Sequence, residues 1–76
     1  MNALEWLTAC SGLDADIKAS GANAGCSWDE KSLQVRYDKI QNGATVIGVL
    51  TVPKHIFEKD ADHHRADILR RIGVGK

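Results

Sequence analysis

The chain has no long apolar run, a single proline, and few aromatic side chains: two tryptophans, one tyrosine and one phenylalanine. A membrane-spanning helix needs about 20 consecutive apolar residues, so no such span is expected. Where a secretory signal would place basic residues before an apolar stretch, the sequence has Glu5, and the expectation is a cytoplasmic protein. Cysteine is scarce as well. Cys10 and Cys26 allow at most one disulfide, and a reducing compartment favours two free thiols. Excess charge of either sign is missing: Lys plus Arg and Asp plus Glu each total 10, which removes the overall attraction to nucleic acid or anionic lipid. The charge is unevenly spread, with acids in excess from Met1 to Lys31 and bases in excess from Ser32 to Lys76.

Hydrophobic residues make up 43% and charged residues 26% of the 76, the balance of an ordinary folded domain. That length has room for one domain, residues 1–76. A domain this small buries roughly 60% of the surface its unfolded chain exposes, so its stability margin is expected to be thin.

Asn2 followed three residues later by Glu5 predicts a capping box and a helix start. Ala3, Trp6, Cys10, Leu13 and Ile17, with Leu7 beside them, recur at helical spacing and form one apolar stripe. Gly21 is placed to stop that helix and Gly12 is a weak point within it. The stretch from Gly21 to Gly25 reads as a loop, Cys26 to Trp28 as a short strand, and Asp29 to Lys31 as a turn.

Asn42-Gly43 is the strongest local signal, because a type I′ turn needs positive φ at both central residues and this dipeptide adopts it at low cost. A two-residue loop there sets Gln41 opposite Ala44, Lys39 opposite Val46, Tyr37 opposite Gly48, Val35 opposite Leu50 and Leu33 opposite Val52. Opposed residues share a face, so Leu33, Val35, Tyr37, Val46, Leu50 and Val52 lie on one side, with Gly48 leaving room for the Tyr37 ring. The other side is polar, apart from an apolar patch of Ile40, Ile47 and Val49. Pro53 ends the strand and suits the first turn of a following helix. Phe57, Ala61, His64, Ile68 and Ile72 then recur at helical spacing with Leu69 flanking, Gly73 stops the run, and Asp60 or Asp62 can recap the helix after a break.

Asp60, Asp62, His63, His64 and Asp67 raise a metal reading, since Asp60 with His64 and His63 with Asp67 each sit one helical turn apart. Adjacent histidines project about 100° apart on a helix, and His64 belongs to the apolar stripe, so no metal or other cofactor is expected. Arg65, Arg70 and Arg71 suggest a phosphate-binding helix, but Asp62 and Asp67 stand three and four residues ahead of Arg65 and Arg71 as intrahelical partners. No nucleotide-binding or hydrolase motif occurs, neither cysteine is brought near a base by the sequence, and a domain this small has little wall for a closed pocket. An enzyme is not expected. Trp6 reads as core, and Trp28 as the tryptophan better placed for exposure.

The expected fold class is α+β in the order α-β-β-β-α, an antiparallel sheet with both terminal helices packed on one face. That order resembles the double-stranded-RNA-binding domains. Where that family places a run of lysines at the start of its last helix, this chain has Lys54, Lys59 and several acids, so the likeness is one of topology and carries no binding residue across. The functional expectation is a small protein-binding module, an inhibitor, adaptor or homodimer, acting through an exposed sheet face; small phage and mobile-element proteins share that general character, but no motif here carries the likeness. Its partner-binding residues are Arg36, Ile40, Ile47 and Val49, with Trp28 added. The alternatives are nucleic-acid binding through Arg65, Arg70 and Arg71, and metal binding through the Asp/His cluster.

Overall fold

In the computed structural model, which describes residues 1–73, the chain runs α1 (Ala3–Ala19), β1 (Ala24–Trp28), β2 (Ser32–Gln41), β3 (Ala44–Pro53), α2 (Lys54–Phe57) and α3 (Ala61–Arg71). The expected α-β-β-β-α order holds. The Asn2 side chain accepts from the Glu5 amide at 2.8 Å, and the Glu5 carboxylate accepts from the Asn2 amide at 3.1 Å. This reciprocal cap starts α1 where the sequence places it. Gly21, at φ +76°, turns the chain after the helix, in the left-handed region that a residue without Cβ enters freely.

The three strands form one antiparallel sheet in the order β1-β2-β3. Asn42 and Gly43 both have positive φ, 54° and 80°, as a type I′ turn requires. The hairpin register pairs Gln41 with Ala44, Tyr37 with Gly48 and Leu33 with Val52, matching the count outward from the turn. The first strand begins at Ala24, two residues before the expected Cys26, and pairs with β2 from Ala24↔Tyr37 to Trp28↔Leu33. The following turn is closed by Asp29, whose carboxylate accepts from the amides of Lys31 at 2.7 Å and Ser32 at 2.9 Å.

The core lies between the helices and one sheet face. Trp6, Cys10, Leu13 and Ile17 of α1 pack with Leu33, Val35 and Val52 of the sheet and with Phe57 and Ile68. The Trp6 and Phe57 rings meet edge to face at 5.5 Å, an arrangement favoured by their quadrupoles, and the Trp6 indole N–H donates to the Asp29 carbonyl at 2.6 Å. Ala3 and Leu7, expected on the buried stripe, are exposed: Ala3 is the first residue of α1, and Leu7 lies at the edge of an apolar arc wider than the surface it rests on. Pro53 ends β3 and stands as the residue before α2, with the chain breaking again at Asp60. The Asp60 carboxylate accepts from the His63 amide at 3.3 Å, so Asp60 performs the recapping and Asp62 sits in the first turn.

The helices do not reach the end of the hairpin. With its 17 residues α1 is about 25 Å long at ~1.5 Å per residue, whereas strands of 10 residues run about 33 Å at ~3.3 Å per residue. The molecule is accordingly elongated, 41 × 21 × 18 Å. From Asp38 to Ile47 every residue is exposed except the half-buried Val46. Tyr37, Val46 and Leu50, expected to share the inward face, do so but are only partly covered for this reason.

Candidate docking surface

Beta-branched residues at alternate positions build the outer face of β3: Thr45, Ile47, Val49 and Thr51. Each suits extended backbone, since branching at Cβ restricts the rotamers that a strand accommodates. Because side chains alternate across a strand, this row points away from the helices, opposite Ile40, Asp38, Arg36 and Gln34 of β2. Ile40 is 74% exposed, Ile47 73% and Val49 54%. No helix of the described chain covers them. Arg36 lies directly across from Val49 and makes no ion pair among the described residues. Asp38, across from Ile47, accepts from the Asn23 side-chain amide at 2.5 Å.

Trp28 belongs to a different surface. Its register partner Leu33 is a core residue, so Trp28 faces the helices, half-buried against the core cluster. It does not join Arg36, Ile40, Ile47 and Val49. The alternation of a strand decides this, and the sequence left it open because the pairing of β1 was not readable.

The edges of the sheet differ. Lys54 N–H donates to the Lys31 carbonyl at 2.8 Å, which extends the β2-β3 ladder by one pair beyond Ser32↔Pro53 and fixes its phase. Alternate pairs of an antiparallel ladder exchange hydrogen bonds, so Ala44, Val46, Gly48, Leu50 and Val52 bond to β2. Thr45, Ile47, Val49 and Thr51 therefore aim their amides and carbonyls at the open edge. On the other margin the five-residue β1 is shielded by α1. The Asp14 carboxylate accepts from the Cys26 amide at 3.4 Å and pairs with Lys18 at 2.8 Å, and these contacts, the lysine hydrogen bond first, hold its carboxyl below the ordinary aspartate value.

The basic residues of α3 are engaged within the molecule. Arg65 pairs with Asp16 of α1, not with Asp62 as helical spacing suggested, because the facing helix offers a nearer carboxylate. Asp67 pairs with both Arg70 and Arg71, and the two guanidiniums hold its carboxyl below its usual range. His64 stacks on Phe57 with centroids 6.0 Å apart, in the packing role its position on the stripe implied. Among the described residues no group of three or more His, Cys, Asp or Glu side chains is arranged to hold a metal ion. Cys10 is buried and Cys26 half-buried, both as free thiols, and desolvation pushes each up to about 11.

One surface feature had no place in the sequence reading. Leu4, 71% exposed, borders an open groove of about 520 Å³ between α1 and the α2-α3 segment, floored by Ala9 and Phe57 and rimmed by Asp62 and Arg65. The signal was available in Leu4, an apolar residue on the outer flank of the α1 stripe. No helix among the described residues is long and apolar enough to cross a membrane. No family model, curated protein or solved structure matches this chain.

Proposed function

We propose that this protein is a small non-enzymatic binding module whose docking element is the projecting half of the β2-β3 hairpin. The observation that carries the reading is the row of Ile40, Ile47 and Val49 on a sheet face that no helix among the described residues covers, with Arg36 beside it. A domain of this size has few apolar side chains to spare, and leaving three large ones together in water forgoes burial worth roughly 1.5–3 kcal/mol each. Clustered exposed apolar residues with a polar rim mark interaction surfaces, and Arg36, without an ion pair among the described residues, adds the planar donor set common at such interfaces. The nucleic-acid alternative lacks comparable support, since Arg65, Arg70 and Arg71 already have carboxylate partners.

The test compares the parent with the double variant Ile47→Asp, Val49→Asp. Both positions are exposed, so circular dichroism and the Tyr37–Gly48 backbone contact should be preserved. Self-association in solution and recovery of partners by the tagged protein should both be lost. A folded variant that keeps both would overturn the reading.

A further inference from the structure

The partner of the hairpin can be narrowed from the geometry of its edge. β3 is the outer strand of the sheet, ten residues long, and from Ile40 to Pro53 the sequence carries no charged residue. Sheet proteins ordinarily blunt such an edge with lysine, a bulge, an interior proline or a covering segment. Here the only proline is at the far end, the ladder runs without a bulge from Ser32↔Pro53 to Gln41↔Ala44, and no side chain among the described residues bonds to the amides of Thr45, Ile47, Val49 or Thr51. The contrast with β1, short and held by Asp14, shows that this fold does cover an edge elsewhere.

We infer that β3 pairs antiparallel with β3 of a second copy about a two-fold axis at Gly48, joining two three-stranded sheets into one of six strands. This rests on the reading of the hairpin as a docking element and names its occupant.

The register follows from the backbone. Only Thr45, Ile47, Val49 and Thr51 present outward amides and carbonyls, and centring the axis on Gly48 engages all of them. Thr45 then opposes Thr51 of the second copy and Ile47 opposes its Val49, each pair exchanging two hydrogen bonds, about eight in all. Shifting the axis by one residue either way leaves an outward group of β3 opposite the turn or the strand end. The opposed side chains match in kind: threonine meets threonine and isoleucine meets valine, both favourable cross-strand pairs. At the axis the two glycines face each other with no side chain of their own to collide, each lying under the Tyr37 ring of its own copy on the helix side. Charge does not oppose the union, because the edge is uncharged and the whole chain is formally neutral. In the joined sheet Ile47 and Val49 of both copies form one continuous apolar row. An isologous contact of this kind closes on itself and does not propagate into a fibre. Edge pairing of a single strand falls below the ~1,200 Å² of standard interfaces, so association in the micromolar range is expected.

The test is sedimentation equilibrium of the full chain from about 10 to 500 µM, a span bracketing that affinity class, with two variants at one position. Val49→Pro removes an outward amide that has no partner among the described residues, a substitution an edge strand tolerates, and should weaken dimerisation by at least about tenfold. Val49→Ala loses more of the side chain than Val49→Pro but keeps the amide, and should remain dimeric within a few-fold of the parent. Should Val49→Pro unfold, Ile47→Lys serves in its place, setting a cation on the shared edge, with the same loss expected. A parent that is monomeric throughout, or a dimer that survives Val49→Pro or Ile47→Lys, overturns the inference. So does equal loss in Val49→Ala and Val49→Pro, which would mean that the copies stack by their faces. These results are distinguishable from failure of the docking reading itself, because a monomeric parent that still loses a partner through Ile47→Asp, Val49→Asp retains the module and discards only the self-pairing.

Discussion

A Cβ added at Gly48 would stand 2.6 Å from Cζ and 2.9 Å from Cε2 of Tyr37, closer than real carbon contacts allow. The tyrosine ring lies over the glycine and shields its backbone from water, the arrangement by which an aromatic side chain compensates a glycine within a sheet. Gly48→Ala should therefore destabilise the protein by about 1–3 kcal/mol, the usual cost of overpacking. Because Tyr37 is only half-buried, the ring can be removed without emptying the core. Adding Tyr37→Ala to Gly48→Ala should relieve the clash, and a thermal-unfolding double-mutant cycle should return a coupling above about 0.5 kcal/mol. Independent, additive effects would contradict the stacking.

At the scale of elements, α1 depends on its ends as much as on its buried stripe. Asn2→Ala removes the oxygen that caps the Glu5 amide and should cost about 1 kcal/mol, read as a lowered midpoint in urea with an unchanged slope. The hairpin and the capping box were legible in the sequence because both are local. Asn42-Gly43 determines its own turn, and the period of two then assigns every face from Leu33 to Val52. What was not legible depended on contacts between elements. The pairing of β1 decides where Trp28 points, the approach of α1 to α3 gives Arg65 its partner Asp16, and the shorter reach of the helices leaves Tyr37, Val46 and Leu50 half covered. The candidate surface itself, Arg36, Ile40, Ile47 and Val49, followed from alternation alone. Its edge did not, since strand order is not written in any single segment.

Taken whole, the molecule couples a small core to a bare arm, and its stability should show two pH limits. Asp14, Asp29 and Asp67 are held below their ordinary value of 3.8 by lysine, backbone amides and arginines respectively. A lowered native value means that the unfolded chain takes up protons first, so stability is present above 3.8 and is lost as pH falls below it. The thiols act in the opposite sense. Cys10 and Cys26 have ordinary values of 9.0 raised to about 11, so the unfolded state ionises first and stability falls as pH climbs from 9.0 towards 11. Chemical denaturation across pH should show a plateau between these limits. Replacing Cys26 by alanine should flatten part of the alkaline loss, and an unchanged alkaline limb would contradict the burial of that thiol.

The uncovered outer row and open edge of β3 are tested most directly by residue-resolved amide exchange on dilute protein, where each copy stands alone. The amides of Val46, Gly48 and Leu50, bonded to β2, should exchange slowly, while those of Thr45, Ile47, Val49 and Thr51 exchange fast. Uniform protection along β3 in the lone chain, or the reverse alternation with Ile47 and Val49 slow, would mean a covered edge or a slipped register and would contradict the account.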